Sequence, residues 1–431
     1  MIESRRFRTV FAAVALFSLF AGDFWRYSIG WWGFSAIVLA LLAVSIVLLV
    51  HHRERWHVAR LPYPLLVFLA LAAVSILWSF YPGATALGLI ATLVTTAIGL
   101  ALAVAFSWTE LLRSLGHAMR LLLGLSFLFE FIVSAFIRHP ILPLVPSPGV
   151  DYDSLETVPK LLYWSRDLFF EGGKIQGIVG NSSLLGFIAL VSLIVFGLQL
   201  AAKSVSRVWG SLWLLVAVAA VACTRSATIL VAIVILLAVV GVVLLLRRLT
   251  GRAHGAVYAA AIGLVALAAI LISTMSAQLL ALLGKSSDLT GRLDIWTTVI
   301  ALAEQRPAAG WGWISFWIPW VPPFDNLVFA SGVRQLHAHN AWIDVFLQLG
   351  TIGVVVFAAL ALSTFVRSWQ FAVERPTVSP LTTAKHTVVS LLPLLLLVAL
   401  LVQSVAESRL LIEYGFALLT IIAVKTKVSQ S

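Results

Sequence analysis

Residues 226–246 read SATILVAIVILLAVVGVVLLL, a stretch without a charged side chain that is bounded by Arg225 on one side and by Arg247 and Arg248 on the other. A helix that crosses the hydrocarbon core of a bilayer needs about 20 mostly apolar residues, at about 1.5 Å of rise per residue. Lipid provides no partners for backbone N–H and C=O groups, so a helix is the expected spanning element. The stretch therefore predicts a transmembrane helix.

Comparable apolar stretches recur along the whole chain. The 431 residues are 61% hydrophobic and only 11% charged, whereas soluble domains are about 45–50% apolar and about 25% charged. We predict twelve spans, of which the first, seventh and last are short: 7–22, 33–50, 63–80, 83–106, 116–137, 183–201, 208–223, 226–246, 256–283, 341–366, 388–405 and 409–424. The predicted fold is an all-α polytopic membrane protein with about 12 transmembrane helices, in which residues 1–431 form a single integral membrane domain.

The charges between the spans predict their orientation. With the N-terminus in the cytoplasm, the cytoplasmic segments are all basic, and they contain Arg5, Arg6, Arg8, Arg53, Arg55, Arg60, Arg113, Arg120, Lys203, Arg207, Arg247, Arg248, Arg252, Arg367, Arg375, Lys385, Lys425 and Lys427. The positive-inside rule then predicts an even number of spans with both termini in the cytoplasm. The same bias explains the net charge of +11, and because no dense lysine or arginine tract is present, we expect no nucleic-acid partner.

Two long loops interrupt the compact pattern, and both fall on the outer side. They are residues 138–182, rich in proline, and residues 284–340, rich in tryptophan and proline. Loops longer than about 12–15 residues are usually functional or disordered, and we expect these two to be ordered and to cap a cavity. Four tryptophans of the second loop are compatible both with packing at the membrane interface and with stacking on sugars. They are Trp311, Trp313, Trp317 and Trp320.

Two outer-side arginines are candidates for binding phosphate. Arg225 lies in a short turn between two spans, where the alternative is an arginine that snorkels to the interface. Arg292 follows Gly291 near a predicted helix start at Thr290, where backbone amides also favour anions; its alternative is an ion pair with Asp288. A planar, permanently charged guanidinium suits bidentate binding of phosphate.

The segment RQLHAHN, residues 334–340, contains His337 and His339 directly before a span. A histidine beside a hydroxyl nucleophile is a common general base, although a histidine at the edge of a span is more often structural. The His-x-His spacing would also suit a metal, but no third ligand accompanies it at a recognised zinc spacing, so we expect no metal. Asn340 fits the N-cap of the following helix.

Four further residues are candidates for supporting roles or substrate binding. Arg166 lies in the first outer loop, and Arg334 lies just before the histidines. Glu407 and Arg409 lie at the outer end of the last hairpin, where they could instead pair with one another.

Three acidic residues are weaker candidates for functional residues than the arginines and histidines. Asp151 and Asp153 form a D-x-D pair, a spacing used by some metal-dependent sugar transferases, and we interpret them as loop acids. Glu130, in LSFLFEFIV, is the one carboxylate placed deep within a predicted span. Ionisable residues in such positions are functional by default, yet the sequence does not say which way Glu130 faces.

The second half of the chain resembles the Wzy_C family of O-antigen ligases and bacterial polysaccharide polymerases, over about residues 180–366. The matching motifs are TGRLDIW with Arg292, RPAAGWGWISFW, HAHNAWIDVFLQLGTIG with His339, TRSATIL with Arg225, and GNSSLLGF at 180–187. The first half is similar only in its topology. Within the family, the amino-acid sequences of these motifs are closer to those of exopolysaccharide polymerases of the ExoQ type than to those of ligases.

The resemblance implies a GT-C-like fold and a metal-independent glycosyltransferase without a cofactor, in the bacterial inner membrane. The implied donor is a glycan on undecaprenyl diphosphate, and the implied acceptor is a sugar hydroxyl of lipid A-core or of another lipid-linked glycan, at the periplasmic face. Under this resemblance His339 is the base or orients the acceptor, while Arg225 and Arg292 bind the diphosphate. Partners in a polysaccharide assembly or export system are also implied.

A transporter or flippase for a polysaccharide or a lipid-linked oligosaccharide is the alternative function. Secondary transporters usually have internal repeats and polar sites near the midplane of the bilayer. Here the polar residues gather at the outer edge beneath long loops, and only Glu130 is deep, which favours an enzyme. A structural scaffold, a third possibility, leaves the outer arginines unexplained.

Overall fold

The computed structural model of the chain describes residues 4–146, 150, 152, 156–249, 251, 253–264, 287–330, 332–374, 377–379, 382–383 and 386–428. Helices dominate these residues, in the order α1 Arg5–Phe20, α2 Gly22–His51, α3 Tyr63–Val74, α4 Pro82–Ala105, α5 Trp108–Ile132, α6 Ser182–Ala201, α7 Arg207–Thr224, α8 Ala227–Arg248, α9 Ala253–Leu264, α10 Ser287–Ala303, α11 Ala341–Val373, α12 Leu392–Ser404 and α13 Glu413–Val428. Strands in the described part form two short antiparallel pairs, β1 Phe329–Ala330 with β2 Val333–Arg334 and β3 Thr377–Ser379 with β4 Thr382–Thr383. The prediction of an all-α polytopic membrane protein is confirmed.

Seven helices within the described ranges are long and apolar enough to cross a membrane: α2, α4, α5 with its extension to Ile137, α6, α7, α8 and α11. Four other predicted spans correspond to the shorter helices α1, α3, α12 and α13. The predicted span 256–283 is described only as far as Leu264, the end of α9, and its remainder lies outside the described residues. The count of twelve spans therefore stays a prediction.

The distribution of buried side chains fits a bundle surrounded by lipid. Helices α6, α12 and α13 are buried along most of their length. Helices α7 and α8 instead expose large apolar side chains, with Leu215, Val234 and Leu237 all at least 65% exposed. Soluble monomers rarely expose contiguous apolar patches of more than a few hundred Å², so these outward surfaces indicate contact with acyl chains.

A break in α11 holds the second outer loop against the bundle. Gly350 has φ of 63°, a left-handed conformation that glycine adopts readily, and a Cβ there would clash with the backbone of Ala308. The break frees the carbonyls of Leu347 and Gln348, which accept the N–H groups of Trp311 and Gly312 at 3.0 and 2.9 Å. The segments GWGW, residues 310–313, and LQLG, residues 347–350, are therefore joined by backbone hydrogen bonds.

Glu130 anchors the first outer loop. It lies near the C-terminal end of α5, is only 1% exposed, and accepts the N–H groups of Gln176 and Gly177 at 2.8 and 2.7 Å through Oε1. Its Oε2 accepts the Ser165 hydroxyl at 2.7 Å. The one deep carboxylate therefore serves as a hydrogen-bond acceptor that ties residues 165–177 to the bundle, which replaces the expectation of a functional acid in mid-membrane. The loop acids Asp151 and Asp153 lie outside the described residues.

We predict that Glu130→Ala lowers the melting temperature of the detergent-solubilised protein by several degrees. The substitution leaves two buried N–H groups and a hydroxyl without an acceptor, and each unsatisfied group costs about 1–3 kcal/mol. Intrinsic fluorescence during heating measures the change, with Glu171→Ala, an exposed acid of the same loop, as the control. Equal melting temperatures for the two variants would contradict the anchoring role.

Candidate active site

Two side chains from distant parts of the chain meet at the carboxylate of Glu407, on the segment between α12 and α13. Glu407 Oε1 accepts from Arg292 Nη2 at 3.1 Å, and Glu407 Oε2 lies 3.2 Å from Nδ1 of His339. Arg292 comes from the first turns of α10, and His339 from the segment before α11. Trp296, one turn after Arg292, donates its indole N–H to the carbonyl of Ala338 at 2.9 Å, which holds α10 beside the histidine.

The local backbone fixes the direction of the His339 side chain. His339 has φ of 51°, in the left-handed region, and the next residue, Asn340, caps α11 by accepting the N–H groups of Trp342 and Ile343 at 3.0 and 3.3 Å. The Asn340 N–H donates to the Ser408 hydroxyl at 3.1 Å. A turn at His339 and a cap at Asn340 therefore begin α11 and bring it to the residue that follows Glu407.

Asp344, in the first turn of α11, joins the same two segments. Its Oδ2 accepts the Ala338 N–H at 3.1 Å and also accepts the Ser408 hydroxyl. Asp344 is only 1% exposed, and its two hydrogen bonds tie the start of α11 to Ser408 and to the segment before the helix. The positions of His339 and Glu407 are therefore set by neighbours on both sides and do not depend on their mutual contact alone.

The electrostatic surroundings keep Glu407 ionised. Burial by itself would raise the pKa of this carboxyl, but His339, through its charge and its hydrogen bond, together with His337 and Arg292, lowers it to about 2. An ionised carboxylate only accepts hydrogen bonds. Nδ1 of His339 must therefore carry a proton to bind it.

The other ring nitrogen of His339 also faces an acceptor. Nε2 lies 3.0 Å from Oε1 of Gln335, and the amide nitrogen of Gln335 donates to the carbonyls of Ala330 and Val333 at 3.0 and 3.3 Å. These two carbonyls set the orientation of the amide, so its oxygen points to His339. Both ring nitrogens of His339 therefore lie within hydrogen-bond distance of a side-chain oxygen.

His337 is a second, buried imidazole packed on the first. The ring centroids of His337 and His339 are 4.0 Å apart, and Nδ1 of His337 accepts the backbone N–H of His339 at 3.0 Å. Burial, followed by the neighbouring His339, holds the pKa of His337 well below its usual value. His337 is therefore neutral near pH 7 and serves as an acceptor that supports the turn.

Arg225 lies away from the Glu407 carboxylate. It ends α7 in a left-handed conformation, with φ of 47°, and its side chain is exposed. A Cβ on Gly172 would be 3.5 Å from Arg225 Nη2, and the Cys223 carbonyl accepts the Ile175 N–H at 3.3 Å. The arginine thus lies against the first outer loop. Among the described residues, no hydrogen bond or ion pair joins it to His339, Glu407 or Arg292.

Arg334 and Arg166, the arginines predicted in supporting roles, have different neighbours from those of Arg292. Arg334 donates to the Pro319 carbonyl at 2.7 Å, and its guanidinium lies 5.6 Å from the centroid of the Phe329 ring. Arg166 is half-buried in the first outer loop, where burial lowers its pKa and the charge of Glu130 opposes that change. Neither arginine contacts the Glu407 carboxylate in the described part of the chain.

Arg409 and Glu407 do not pair with one another, contrary to the alternative considered from the sequence. Arg409 binds Glu413 at 3.1 Å and Asp23 at 2.8 Å. Arg26 completes the network by binding Glu413 at 2.6 Å and also contacting Asp23. This network of two positive and two negative side chains holds the residues just after Glu407 between α2 and α13.

Several residues of the site were not predicted: Asp23, Arg26, Gln335, Asp344, Ser408 and Glu413. The i,i+3 spacing of Asp23 and Arg26 and the i,i+4 spacing of Arg409 and Glu413 are a local signal for ion pairs. No local signal marks Gln335, because its role depends on a contact with a ring four residues away and on two loop carbonyls.

The fold brings a third possible metal ligand, Glu407, to the two histidines. His337, His339 and Glu407 each offer a ligand atom, and these atoms lie within 4.8 Å of one another. Glu407 also binds Arg292, and a permanent cation beside the site opposes a divalent ion. The absence of a metal stays a prediction.

Two of the four loop tryptophans are packing residues. Trp313 and Trp317 are fully buried, and Trp313 donates its indole N–H to the Thr92 hydroxyl at 3.0 Å. Neither is exposed to stack on a sugar. Trp311 is partly buried and donates to the Leu302 carbonyl at 3.0 Å, whereas Trp320 is 65% exposed.

We predict that acidification destabilises the protein partly through His337. Its folded-state pKa lies below the unfolded value of about 6.5, so its contribution to stability is fully present above pH 6.5 and falls as the pH drops below that value. The melting temperature should therefore fall less between pH 7.5 and 5.5 in His337→Asn than in the wild type. His139→Asn, which alters an exposed histidine of the first outer loop, should behave as wild type. The same pH dependence in all three proteins would refute the assignment.

The O-antigen ligase family model, Wzy_C, matches residues 212–358. The match confirms the resemblance, and its range contains Arg225, Arg292 and His339, while Glu407 lies beyond its end. No curated protein matches the chain.

Proposed function

We propose that the O-antigen ligase domain at residues 212–358 transfers a glycan from undecaprenyl diphosphate to a sugar hydroxyl at the periplasmic face of the bacterial inner membrane. The family match supports a glycan-transferring ligase or polymerase in general. The acceptor is lipid A-core in the ligase case and another lipid-linked glycan in the polymerase case. The GT-C-type, metal-independent chemistry is part of the proposal, as are a multi-pass topology with both termini in the cytoplasm and partners in a polysaccharide assembly or export system.

The contact of Glu407 with both His339 and Arg292 is the observation that carries this proposal. In the transfer step the acceptor oxygen bonds to the anomeric carbon of the donor sugar. The bond from that carbon to the diphosphate oxygen breaks, and its electron pair leaves with undecaprenyl diphosphate. The acceptor hydroxyl loses its proton, which requires a base at the outer face of the membrane.

His339 has the geometry of that base. Glu407 binds Nδ1–H, orients the ring and stabilises the imidazolium that forms when Nε2 takes a proton, as the acid of a Ser-His-Asp triad does. The Gln335 amide oxygen now lies 3.0 Å from Nε2. In the transfer step an acceptor hydroxyl takes the place of that oxygen and gives its proton to the unprotonated Nε2. The acceptor would then lie where the Gln335 oxygen lies, about one hydrogen bond from Nε2.

The arginines supply positive charge for the leaving group. Developing charge on a diphosphate is best stabilised by cations held in position beforehand. Arg292 uses Nη2 for Glu407 and has four other N–H groups to offer. Arg225 is exposed, and no acidic partner for it is found among the described residues. We assign Arg292 to the diphosphate next to His339, and Arg225 to the part of the donor that reaches the first outer loop.

The flippase alternative has less support. Glu130, the deep acid that could have relayed ions, is saturated with hydrogen bonds to the first outer loop. The remaining charged cluster lies among the segments that connect the helices at one end of α11, α12 and α13.

The test is complementation of a deletion strain of the native host. Loss of long polysaccharide with accumulation of lipid-linked repeat units indicates a polymerase, and uncapped lipid A-core indicates a ligase. We predict that His339→Ala and Arg292→Ala fail to restore the missing glycan and lower the transfer rate by about 10²–10⁴-fold, the usual contribution of a positioned acid or base.

Arg138→Ala is the matched control, because Arg138 is exposed and, within the described residues, its side chain bonds only to the Ala135 carbonyl three residues earlier. It should restore the glycan fully. Membrane levels of all variants are compared by immunoblot. Wild-type transfer by both His339→Ala and Arg292→Ala at normal membrane levels would rule out the assignment.

A further inference from the structure

A cavity of about 350 Å³ opens between α10 and β1. This volume is at the small end of ligand pockets, which usually measure about 300–1,000 Å³. Its walls are Asp294, Ile295, Thr298, Leu327, Val328, Phe329 and Ala330. None of these residues has a role in the transfer step described above.

The lining combines the two kinds of group that recognise a sugar. The Phe329 side chain is 61% exposed and offers an aromatic surface to the C–H face of a pyranose ring. The carboxylate of Asp294 is an acceptor for sugar hydroxyls, and no acid–base pairing occupies it in the described part of the chain. The carboxylate also repels a phosphate, and the Arg334 guanidinium, 5.6 Å from the centroid of the Phe329 ring, offsets that negative charge. The lining thus fits an uncharged sugar.

Both walls of the cavity continue into the catalytic cluster. One wall, α10, carries Arg292 two residues before Asp294. The other wall is linked through Gln335, whose N–H donates to the Val328 carbonyl at 2.9 Å and whose amide nitrogen donates to the Ala330 carbonyl at 3.0 Å. The amide oxygen of the same Gln335 contacts Nε2 of His339 at 3.0 Å.

We propose that this cavity binds an uncharged sugar unit of the acceptor glycan, next to the unit whose hydroxyl reaches His339. The inference rests on the proposed function, since it places the acceptor on the Gln335 side of His339. Gln335 is hydrogen-bonded to the cavity wall, and its amide oxygen occupies the place beside His339 that the reacting hydroxyl must take. Occupation of the cavity therefore orients the acceptor at the base.

Two adjacent threonines allow a matched test. Thr297 and Thr298 are both exposed on α10, and their hydroxyls make the same bond to the carbonyl four residues earlier, at 2.8 and 3.0 Å. Thr298 lines the cavity and Thr297 does not. Thr298→Trp fills the cavity, whereas Thr297→Trp adds the same bulk outside it.

Binding is measured by saturation-transfer NMR on the full-length protein in detergent, with oligosaccharides obtained by partial hydrolysis of the host's surface polysaccharide. We expect Thr298→Trp and Phe329→Ala to weaken binding roughly tenfold, equivalent to about 1.4 kcal/mol. Thr297→Trp should bind as wild type, and so should Phe136→Ala, which alters a 74% exposed phenylalanine elsewhere. In the transfer assay, Thr298→Trp should raise the KM for the acceptor and leave the KM for the donor unchanged.

Equal binding by Thr298→Trp and Thr297→Trp would overturn the cavity proposal, as would a rise in the donor KM alone. Either result leaves the proposed function standing if His339→Ala is still inactive. The binding measurement does not depend on turnover, so oligosaccharide binding that Thr298→Trp abolishes supports the cavity even if the protein proves not to be a transferase.

Discussion

The Glu407 carboxylate, only 13% exposed, is the interaction on which this end of the structure depends. It joins α10 to the segment before α11 and to the turn between α12 and α13, and its partner Arg292 is 115 residues away in the chain. An unpaired buried charge is strongly unfavourable, and removing one partner of a buried pair typically costs about 3–5 kcal/mol. The three segments are therefore held together by the group that gives the site its chemistry.

The neighbouring ion-pair network explains why Glu407 has little freedom to move. Arg409 is two residues further along, and its bonds to Asp23 and Glu413 attach this turn to α2 and α13. On the other side, Ser408 and Asp344 link the turn to the start of α11. Such support matters because small displacements of a catalytic group are costly to the rate. Under the proposed function, a base whose partner is fixed on both sides keeps its direction when the substrate enters.

Much of the helical fold could be predicted from hydropathy. The expected spans 183–201 and 226–246 correspond to α6 and α8 within two residues at each end. The predicted span 33–50 starts later than α2, which begins at Gly22, because Asp23 and Arg26 make the start of this helix look polar. Their charges are neutralised by Arg409 and Glu413, which are more than 380 residues distant. No local pattern could reveal that pairing.

The sequence predicted several residues of the site but not the contacts between them. The motifs pointed to His339 and Arg292, and both lie at the Glu407 carboxylate. Glu407 itself was expected only in a supporting role, since no motif of its own surrounds it. The assignment of Glu130 required the structure, because an acid that binds backbone amides and an acid that relays protons look the same in sequence. Likewise, the break in α11 at Gly350 was not predicted, because a single glycine in a mostly apolar stretch does not by itself show that a spanning helix is interrupted.

The most direct test of the account is a double-mutant cycle of Glu407→Gln and His339→Gln, measured as the rate of glycan transfer by purified protein. If Glu407 acts through His339, each single variant should slow transfer strongly, and the double variant should be little slower than His339→Gln alone, because residues that act as a unit are far from additive. Rate losses that simply multiply in the double variant would contradict the account. They would mean that the carboxylate and the imidazole contribute independently.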